Sequence, residues 1–344
     1  MACICLIKAE KLESKSGVLR PKDPDTNKED SSPMELIIIE DKSNTDELNS
    51  NDILTEGEAS VAVIETRIVG GVATTINSHQ YLVSLHYKGT FIGAGSLITP
   101  IQVLTTAYIT QGLRPRFIRV RGGTVFFNQG GIIRNVTKII IPATFNNSTY
   151  DMDIAMLKLG AAMVGSNISP IPLCSRFLSN GEIVKISGWG QTSTTNTNLS
   201  NQVRTTNVSI ISTAQCRISY ARDFNFTITA NMICSSTETL KGTCAGDTGG
   251  ALVANSMLCG LISFGVGCTK GYPDVYTRIN APNVKRFIAL AGASRNILEE
   301  QTSYNFGVPF ISKMFNEILQ AVNDLLKPTI LMEELQGKSA SLMR

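Results

Sequence analysis

The sequence is poor in several features that mark common protein classes. No run of about 18 or more apolar residues occurs in its 344 residues, so the pattern gives no transmembrane helix. None of the eight cysteines stands in a CxxC or Cys/His spacing, which disfavours a zinc site. Only two histidines are present, His79 and His86. We therefore expect no membrane span, no metal or other cofactor, and no nucleic-acid partner.

Acidic and basic residues are unevenly distributed along the chain. Residues 11–66 contain 6 Lys and Arg against 14 Asp and Glu, whereas residues 67–292 contain 19 against 7. The densest basic cluster consists of Arg114, Arg116, Arg119 and Arg121. This cluster is either a site for anionic partners or, around Val120, the solvated outer face of a half-buried strand.

The composition divides the chain into four parts. Residues 1–10 resemble a truncated signal peptide, because their apolar run is too short for a complete one. Residues 11–67 form an acidic segment that we expect to be flexible, with one apolar island at 36–39. Residues 68–292 form the main domain. Residues 293–344 form an extension with an amphipathic helix at 310–326, which either packs on the domain or contacts a partner or a membrane surface.

Short apolar or alternating runs separated by turn residues fill the main domain. They lie at 81–87, 96–98, 103–106, 117–120, 138–141, 154–159, 183–187, 203–211, 257–264 and 274–279. A helix is predicted only at 281–291, at the end of the domain. Many short strands at this spacing predict an all-β sandwich or barrel.

The main domain is also rich in Asn-x-Ser/Thr sequons, the acceptor sites for N-glycosylation. Seven begin at Asn135, Asn146, Asn147, Asn167, Asn198, Asn207 and Asn225. Their density favours a glycosylated protein that is secreted to the extracellular space.

Six motifs occur in an order typical of one enzyme family. They are Arg67-Ile-Val-Gly-Gly71, Gly95-Ser-Leu-Ile98, Asp153-Ile-Ala-Met-Leu-Lys-Leu159, Ser187-Gly-Trp-Gly190, Cys244-Ala-Gly-Asp-Thr-Gly-Gly250 and Gly271-Tyr-Pro-Asp-Val-Tyr-Thr-Arg-Ile279. In these motifs the chain resembles the trypsin- and chymotrypsin-like (S1) serine proteases. The resemblance implies that residues 68–292 form two six-stranded antiparallel β-barrels with an active cleft between them, followed by a C-terminal helix.

Two of the three catalytic side chains of that family are replaced. Tyr108 stands where the family has its catalytic His, and Thr248 where it has its Ser, while Asp153 is retained. A tyrosine phenol carries its proton at pH 7 and has no vacant nitrogen, so it cannot act as the general base. Neither histidine matches the catalytic position, and we expect both to be surface or packing residues. The resemblance is therefore to the non-catalytic serine protease homologues of arthropods.

Other parts of the family's machinery match. The backbone N–H groups of Gly246 and Thr248 would form the oxyanion hole. Cleavage after Arg67 by a trypsin-like protease would release the Ile68 ammonium, which in the family pairs with the aspartate corresponding to Asp247. The resemblance thus implies a zymogen activated from outside.

The resemblance also implies a specificity pocket. Gly242 leaves the pocket floor without a carboxylate, Gly265 and Gly267 keep the walls open, and Phe264 replaces the usual Trp. Asp274 lies on a second strand of the pocket, where it either binds a basic guest side chain or has a structural, hydrogen-bonded role.

Two family disulfides are expected, Cys216–Cys234 and Cys244–Cys268. Two further bridges of the family are lost at both ends, where Ile92 and Ile109, and Val184 and Ala254, replace the cysteines. Cys174 and Cys259 remain, and either they pair with each other or Cys174 tethers the N-terminal segment through Cys3 or Cys5.

Three functions are compatible with these residues. The first is a pseudoenzyme that binds or regulates proteases of a cascade, their inhibitors or their substrates. The second is an active or weakly active endopeptidase that cleaves after Arg or Lys with Thr248 as nucleophile. The third is a structural or surface-coating role in which the cleft is vestigial.

Overall fold

A computed structural model describes residues 33–40, 71–191, 198–237, 241–269 and 271–293. The described chain begins with two short strands, β1 (Leu36–Glu40) and β2 (Val72–Ala73). The first barrel then contains β3 (Leu82–Tyr87), β4 (Thr90–Thr99), β5 (Gln102–Thr105), β6 (Ile118–Gly122), β7 (Ile132–Pro142) and β8 (Ala155–Leu159). The second contains β9 (Ile183–Gly188), β10 (Arg204–Ile211), β11 (Met232–Ser235), β12 (Ala251–Ala254), β13 (Met257–Phe264) and β14 (Asp274–Arg278). The helices are α1 (Thr213–Phe224) and α2 (Pro282–Ala293).

Each barrel is a closed antiparallel sheet of six strands. The first has the order β7-β6-β3-β4-β5-β8 and closes where β8 pairs with β7, and β1 adds to the outside of β7. The second has the order β11-β14-β13-β12-β9-β10 and closes where β10 pairs with β11, and β2 adds to β10. The all-β architecture of two six-stranded barrels with a C-terminal helix is therefore confirmed.

The hydrophobic pattern explains how the strands pack. In β6, Ile118, Val120 and Gly122 are buried while Arg119 and Arg121 alternate with them at half-exposed positions. This pattern supports the interpretation that Arg119 and Arg121 lie on the outer face of a half-buried strand. One core fills the first barrel, and a second, which includes Leu104, Trp189 and Leu261, lies between the two barrels.

The described cysteines form three disulfides. The expected bridges Cys216–Cys234 and Cys244–Cys268 are present. Cys174 pairs with Cys259, so Cys174 does not tether the N-terminal segment. Where family bridges are lost, apolar packing takes their place, because Val184 and Ala254 are buried in one cluster.

Some elements differ from the sequence-based expectation. Helix α1 was not predicted, because only Cys216 and Tyr220 of its twelve residues are buried and its apolar pattern is weak. A capping box, in which Ser212 and Gln215 bind each other's backbone N–H groups, begins this helix. The apolar island of the acidic segment is the strand β1, so the expected flexibility does not hold for residues 36–40.

Several expectations concern residues outside the described part. They are the signal peptide, Arg67 and Ile68, Cys3 and Cys5, and the amphipathic helix of the extension. Neither α1 nor α2 is long and apolar enough to cross a membrane.

Candidate functional site

A cleft between the two barrels brings the candidate catalytic residues together. Its cavity volume is about 600 Å³, and its walls include Tyr108 from the first barrel and Thr248, Phe264 and Gly265 from the second. A cavity of about 690 Å³ lies elsewhere and is lined mainly by polar and small residues, with Tyr81 and Lys185 as its ionisable groups. The inter-barrel cleft therefore contains Tyr108 and Thr248, the residues that the sequence predicts at two catalytic positions.

Asp153 lies behind this cleft and is completely buried. Its Oδ1 accepts a hydrogen bond from the Tyr108 backbone N–H at 2.8 Å, and its Oδ2 accepts one from the Ser263 hydroxyl at 2.5 Å. Burial raises the pKa of Asp153 to about 6, although hydrogen bonds from Ser263, Tyr108 and Ala107 oppose this shift. In the described part of the chain, the carboxylate contacts Tyr108 through the backbone and does not orient its phenol.

The Tyr108 ring belongs instead to a row of three aromatic side chains. The centroids of Tyr108 and Tyr150 are 5.2 Å apart, and those of Tyr150 and Phe264 are 5.0 Å apart. All three residues line the cleft. Tyr108, which the sequence predicts in the family's histidine position, thus extends an apolar surface along the cleft.

Thr248 lies on a turn that forms part of the cleft wall. The N–H groups of Asp247, Gly249 and Gly250 donate to the carbonyls of Cys244, Ile262 and Asp247. The N–H groups of Gly246 and Thr248 donate to no backbone carbonyl of the described residues. Gly246 has φ +93°, a conformation that favours glycine. These two donors can bind an oxygen placed in the cleft, which is the chemistry expected of an oxyanion hole.

Asp247, next to the nucleophile position, is buried against two glycines. Its Oδ1 accepts the Gly190 N–H at 2.7 Å and its Oδ2 accepts the Cys244 N–H at 3.0 Å. A Cβ at Gly190 would come within 2.5 Å of the carboxylate. Burial raises the pKa of Asp247 to about 7, against the effect of these hydrogen bonds. A buried carboxylate of this kind is stabilised by a cation, and the expected one, the Ile68 ammonium, is outside the described residues.

Asp274 is buried between Gly242 and Gly265. A Cβ at Gly242 would lie 2.5 Å from its Oδ2, and a Cβ at Gly265 would lie 2.6 Å from its Oδ1. The Thr243 N–H donates to Oδ2 at 2.6 Å. Burial raises the pKa of Asp274 to about 7, and the charge of Asp247 adds to the shift. Asp274 therefore has the hydrogen bonds of a structural role, and its carboxylate lies beside Gly265, which lines the cleft.

Two features of this site were not found from the sequence. Ser263 directly precedes the expected Phe264, but no local pattern shows that its hydroxyl reaches Asp153. Tyr150 lies in a loop with φ +53°, and nothing in its neighbours indicates a ring in the cleft.

The two histidines are packing residues. His79 is fully buried, with its Nε2 2.8 Å from Ser187 Oγ. The Nε2 of His86 lies 2.8 Å from the Phe127 carbonyl oxygen.

Metal ligands are not clustered in the described residues. No group of three or more His, Cys, Asp or Glu side chains there is arranged to hold a metal ion. The cleft combines two backbone donors with a row of aromatic side chains, and the carboxylate of Asp274 lies next to its wall at Gly265.

Comparison with known proteins gives a consistent result. The family model for trypsin matches residues 68–288. Seminase of Drosophila melanogaster is 37% identical over 227 residues, covering 65% of this chain and 81% of that protein. Trypsin delta of the same species is 33% identical over 226 residues, covering 65% of this chain and 88% of that protein.

Solved structures of similar fold include a serine protease and an inactivated protease paralogue. Neuropsin, a serine protease expressed in the limbic system of mouse brain, has a TM-score of 0.58 at 26% identity and covers 66% of this chain and 99% of its own. The scabies mite inactivated protease paralogue S-D1 has a TM-score of 0.60 at 21% identity and covers 65% and 98%. The latter likeness concerns the fold alone.

Proposed function

The chain belongs to the trypsin family of serine proteases, and we propose that it is a secreted, non-catalytic member that binds basic side chains of protein or peptide ligands in its cleft. The observation that carries this proposal is the position of Tyr108. It occupies the place of the general base, and Asp153 contacts its backbone.

The proposed loss of proteolysis follows from the proton transfers that peptide hydrolysis requires. A base must take the proton of the nucleophile and return it to the leaving amine, and a phenol that is protonated at neutral pH cannot do so. Thr248 also carries a methyl group that the family's serine lacks. Removing one triad member typically costs a factor of about 10⁴ to 10⁶ in turnover.

Ligand binding needs fewer groups than catalysis, and those groups remain in place. The cleft is lined by Gly246 and Thr248, whose N–H groups donate to no backbone carbonyl of the described residues. Asp274, set between Gly242 and Gly265, provides a carboxylate for an Arg or Lys side chain. Ligands with these side chains include protease substrates, protease inhibitors and other proteases of a cascade.

Secretion is supported by the surface and by the disulfides. All seven sequon asparagines are exposed, so each is accessible to glycosylation. The three disulfides are typical of an oxidising compartment.

The proposal is tested by restoring the missing groups. The protein is expressed through a secretory pathway, cut after Arg67 with the cut confirmed by mass spectrometry, and assayed on peptides containing Arg or Lys. We expect no turnover from the wild type and measurable turnover from the Tyr108→His/Thr248→Ser double variant. Adding Asp153→Asn to the double variant should abolish the gain, because the new histidine then lacks its orienting carboxylate.

The same assay can reject the proposal. Wild-type turnover near that of trypsin, or covalent labelling of Thr248 by a fluorophosphonate, would establish an endopeptidase with an unusual base. If the double variant stays inactive while the wild type fails to bind Arg-containing peptides, the cleft is vestigial and the function lies on the outer surface.

A further inference from the structure

One strand of the acidic N-terminal segment extends the first barrel. Strand β1 pairs with β7 in antiparallel register over five residues, from Leu36 opposite Pro142 to Glu40 opposite Lys138. The pairing continues beyond the strand, because the Ala143 N–H donates to the Glu35 carbonyl at 2.9 Å. Residues 35–40 therefore form a continuous backbone interface with the end of β7.

Side chains of β1 and of the residues just before it pack against both hydrophobic cores. Met34 and Leu36 pack against the core between the barrels. Ile39 packs against the core of the first barrel. Glu40 and Lys138 form an ion pair at 2.7 Å across the two strands. The segment is thus held by apolar contacts, backbone hydrogen bonds and a charge pair.

Strand β1 pairs with an edge of β7 that no described strand of the barrel itself occupies. Strand β6 pairs with β7 only from Ile132 to Asn135. Strand β8 pairs with the later part of β7, through Ile140. Without β1, the N–H and C=O groups on the other side of this later part would form a free strand edge, which binds other strands readily.

Among the described residues, this segment contacts the barrel through residues 34–40, which all precede Arg67 in the sequence. All residues that β1 contributes lie before residue 41, and Cys174, which could have provided a covalent tether, is paired with Cys259. We propose that the edge of β7 at residues 138–142 is a strand-binding site for the chain's own residues 34–40. The N-terminal segment then stays bound there, without a covalent link, after cleavage beyond it. This inference rests on the proposed function only for the place of the cut.

The test is retention of the cleaved segment. Residues 63–67 of the full chain are replaced by the recognition sequence of a site-specific protease, so that the cut does not depend on Arg67. After cleavage, native mass spectrometry and gel filtration at micromolar concentration should give one species containing both fragments, which separate on a non-reducing denaturing gel. Dissociation during gel filtration would overturn the proposal, whereas failure of natural proteases to cut at Arg67 would concern only the proposed function.

Two matched variants test whether the cleaved segment is retained by the specific packing of β1 or by non-specific association. Ile39→Asp places a charge in the barrel core, and we expect at least a tenfold faster loss of the segment. Ile37→Asp is the control, because Ile37 is 46% exposed and its carboxylate would stay hydrated. Equal loss from the two variants would refute the proposed packing.

The ion pair gives an independent test of register. Glu40→Lys should speed dissociation severalfold, and adding Lys138→Glu should restore retention. No rescue, or a retained species that contains two domains and two segments through exchange between copies, would overturn the assignment of this site to the chain's own strand.

Discussion

The carboxylate of Asp274 lies against the backbone of Gly242, so closely that a Cβ at Gly242 would be 2.5 Å from Oδ2. Gly265, on the other side of this carboxylate, lines the cleft. Under the proposed function, Asp274 on β14 supplies the carboxylate that Gly242 cannot. This geometry determines which substitutions should change the recognition of basic ligands.

Asp274→Asn should weaken binding of benzamidine, a small basic probe, at least about tenfold. The reason is that a charge-assisted hydrogen bond contributes about 1.5–3 kcal/mol. Isothermal titration calorimetry measures the effect, and Asp223→Asn, which removes an exposed carboxylate, is the control. Unchanged affinity in Asp274→Asn would show that Asp274 has only a structural role.

Gly242→Asp should lower both Tm and benzamidine affinity, because the new side chain overlaps the carboxylate of Asp274 and adds a like charge. Combining it with Asp274→Gly removes the overlap and leaves one carboxylate in the pocket. We expect this double variant to regain most of the affinity and stability. A double variant as impaired as Gly242→Asp alone would contradict the described pocket.

The uncleaved protein should lose stability as the pH rises from about 4 to 8. Burial raises the pKa of Asp153 to about 6 and that of Asp247 to about 7. The folded state therefore holds protons that the unfolded state, with its ordinary carboxyl pKa near 4, has released. Their contribution is complete below pH 4 and is lost as the pH rises through 6 to 7, at a cost of the order of 1 kcal/mol or more for each carboxyl.

Urea denaturation at pH 5 and pH 8 measures this dependence. Asp247→Asn should flatten it, and cleavage after Arg67 should do so as well if the Ile68 ammonium then pairs with Asp247. Stability that increases over this pH range in the uncleaved protein would contradict the prediction.

Tyr150→Ala should lower the free energy of unfolding by about 1–3 kcal/mol, because it removes two ring contacts of about 0.5–1.5 kcal/mol each. The row from Tyr108 to Phe264 would lose its middle member. Peptides with an apolar residue before the basic one should bind less tightly, as measured by calorimetry. Tyr150→Phe keeps both ring contacts and should lose less stability and affinity than Tyr150→Ala, and equal effects of the two substitutions would argue against an apolar role.

Much of the barrel architecture could be predicted because strand signals are local. Alternation such as that of Ile118 and Val120 in β6 is visible in a few neighbouring residues. The helix α1 was missed because most of it is exposed, so burial leaves little pattern in its sequence. Strand β1 was visible as an apolar run, but its partner is about a hundred residues away in the chain, and no local signal indicates the pairing.

The sequence by itself determined the chemical groups of this protein: the phenol of Tyr108, the hydroxyl of Thr248, the carboxyl of Asp153, and the motifs that place the chain in its family. Only the tertiary structure decided that Cys174 pairs with Cys259, that Ser263 and the Tyr108 backbone share Asp153, and that Asp274 lies between Gly242 and Gly265. The physical reason is that side-chain identity is a property of each residue, whereas these contacts depend on distances between residues far apart in the chain, which are set when the strands pair and the barrels pack.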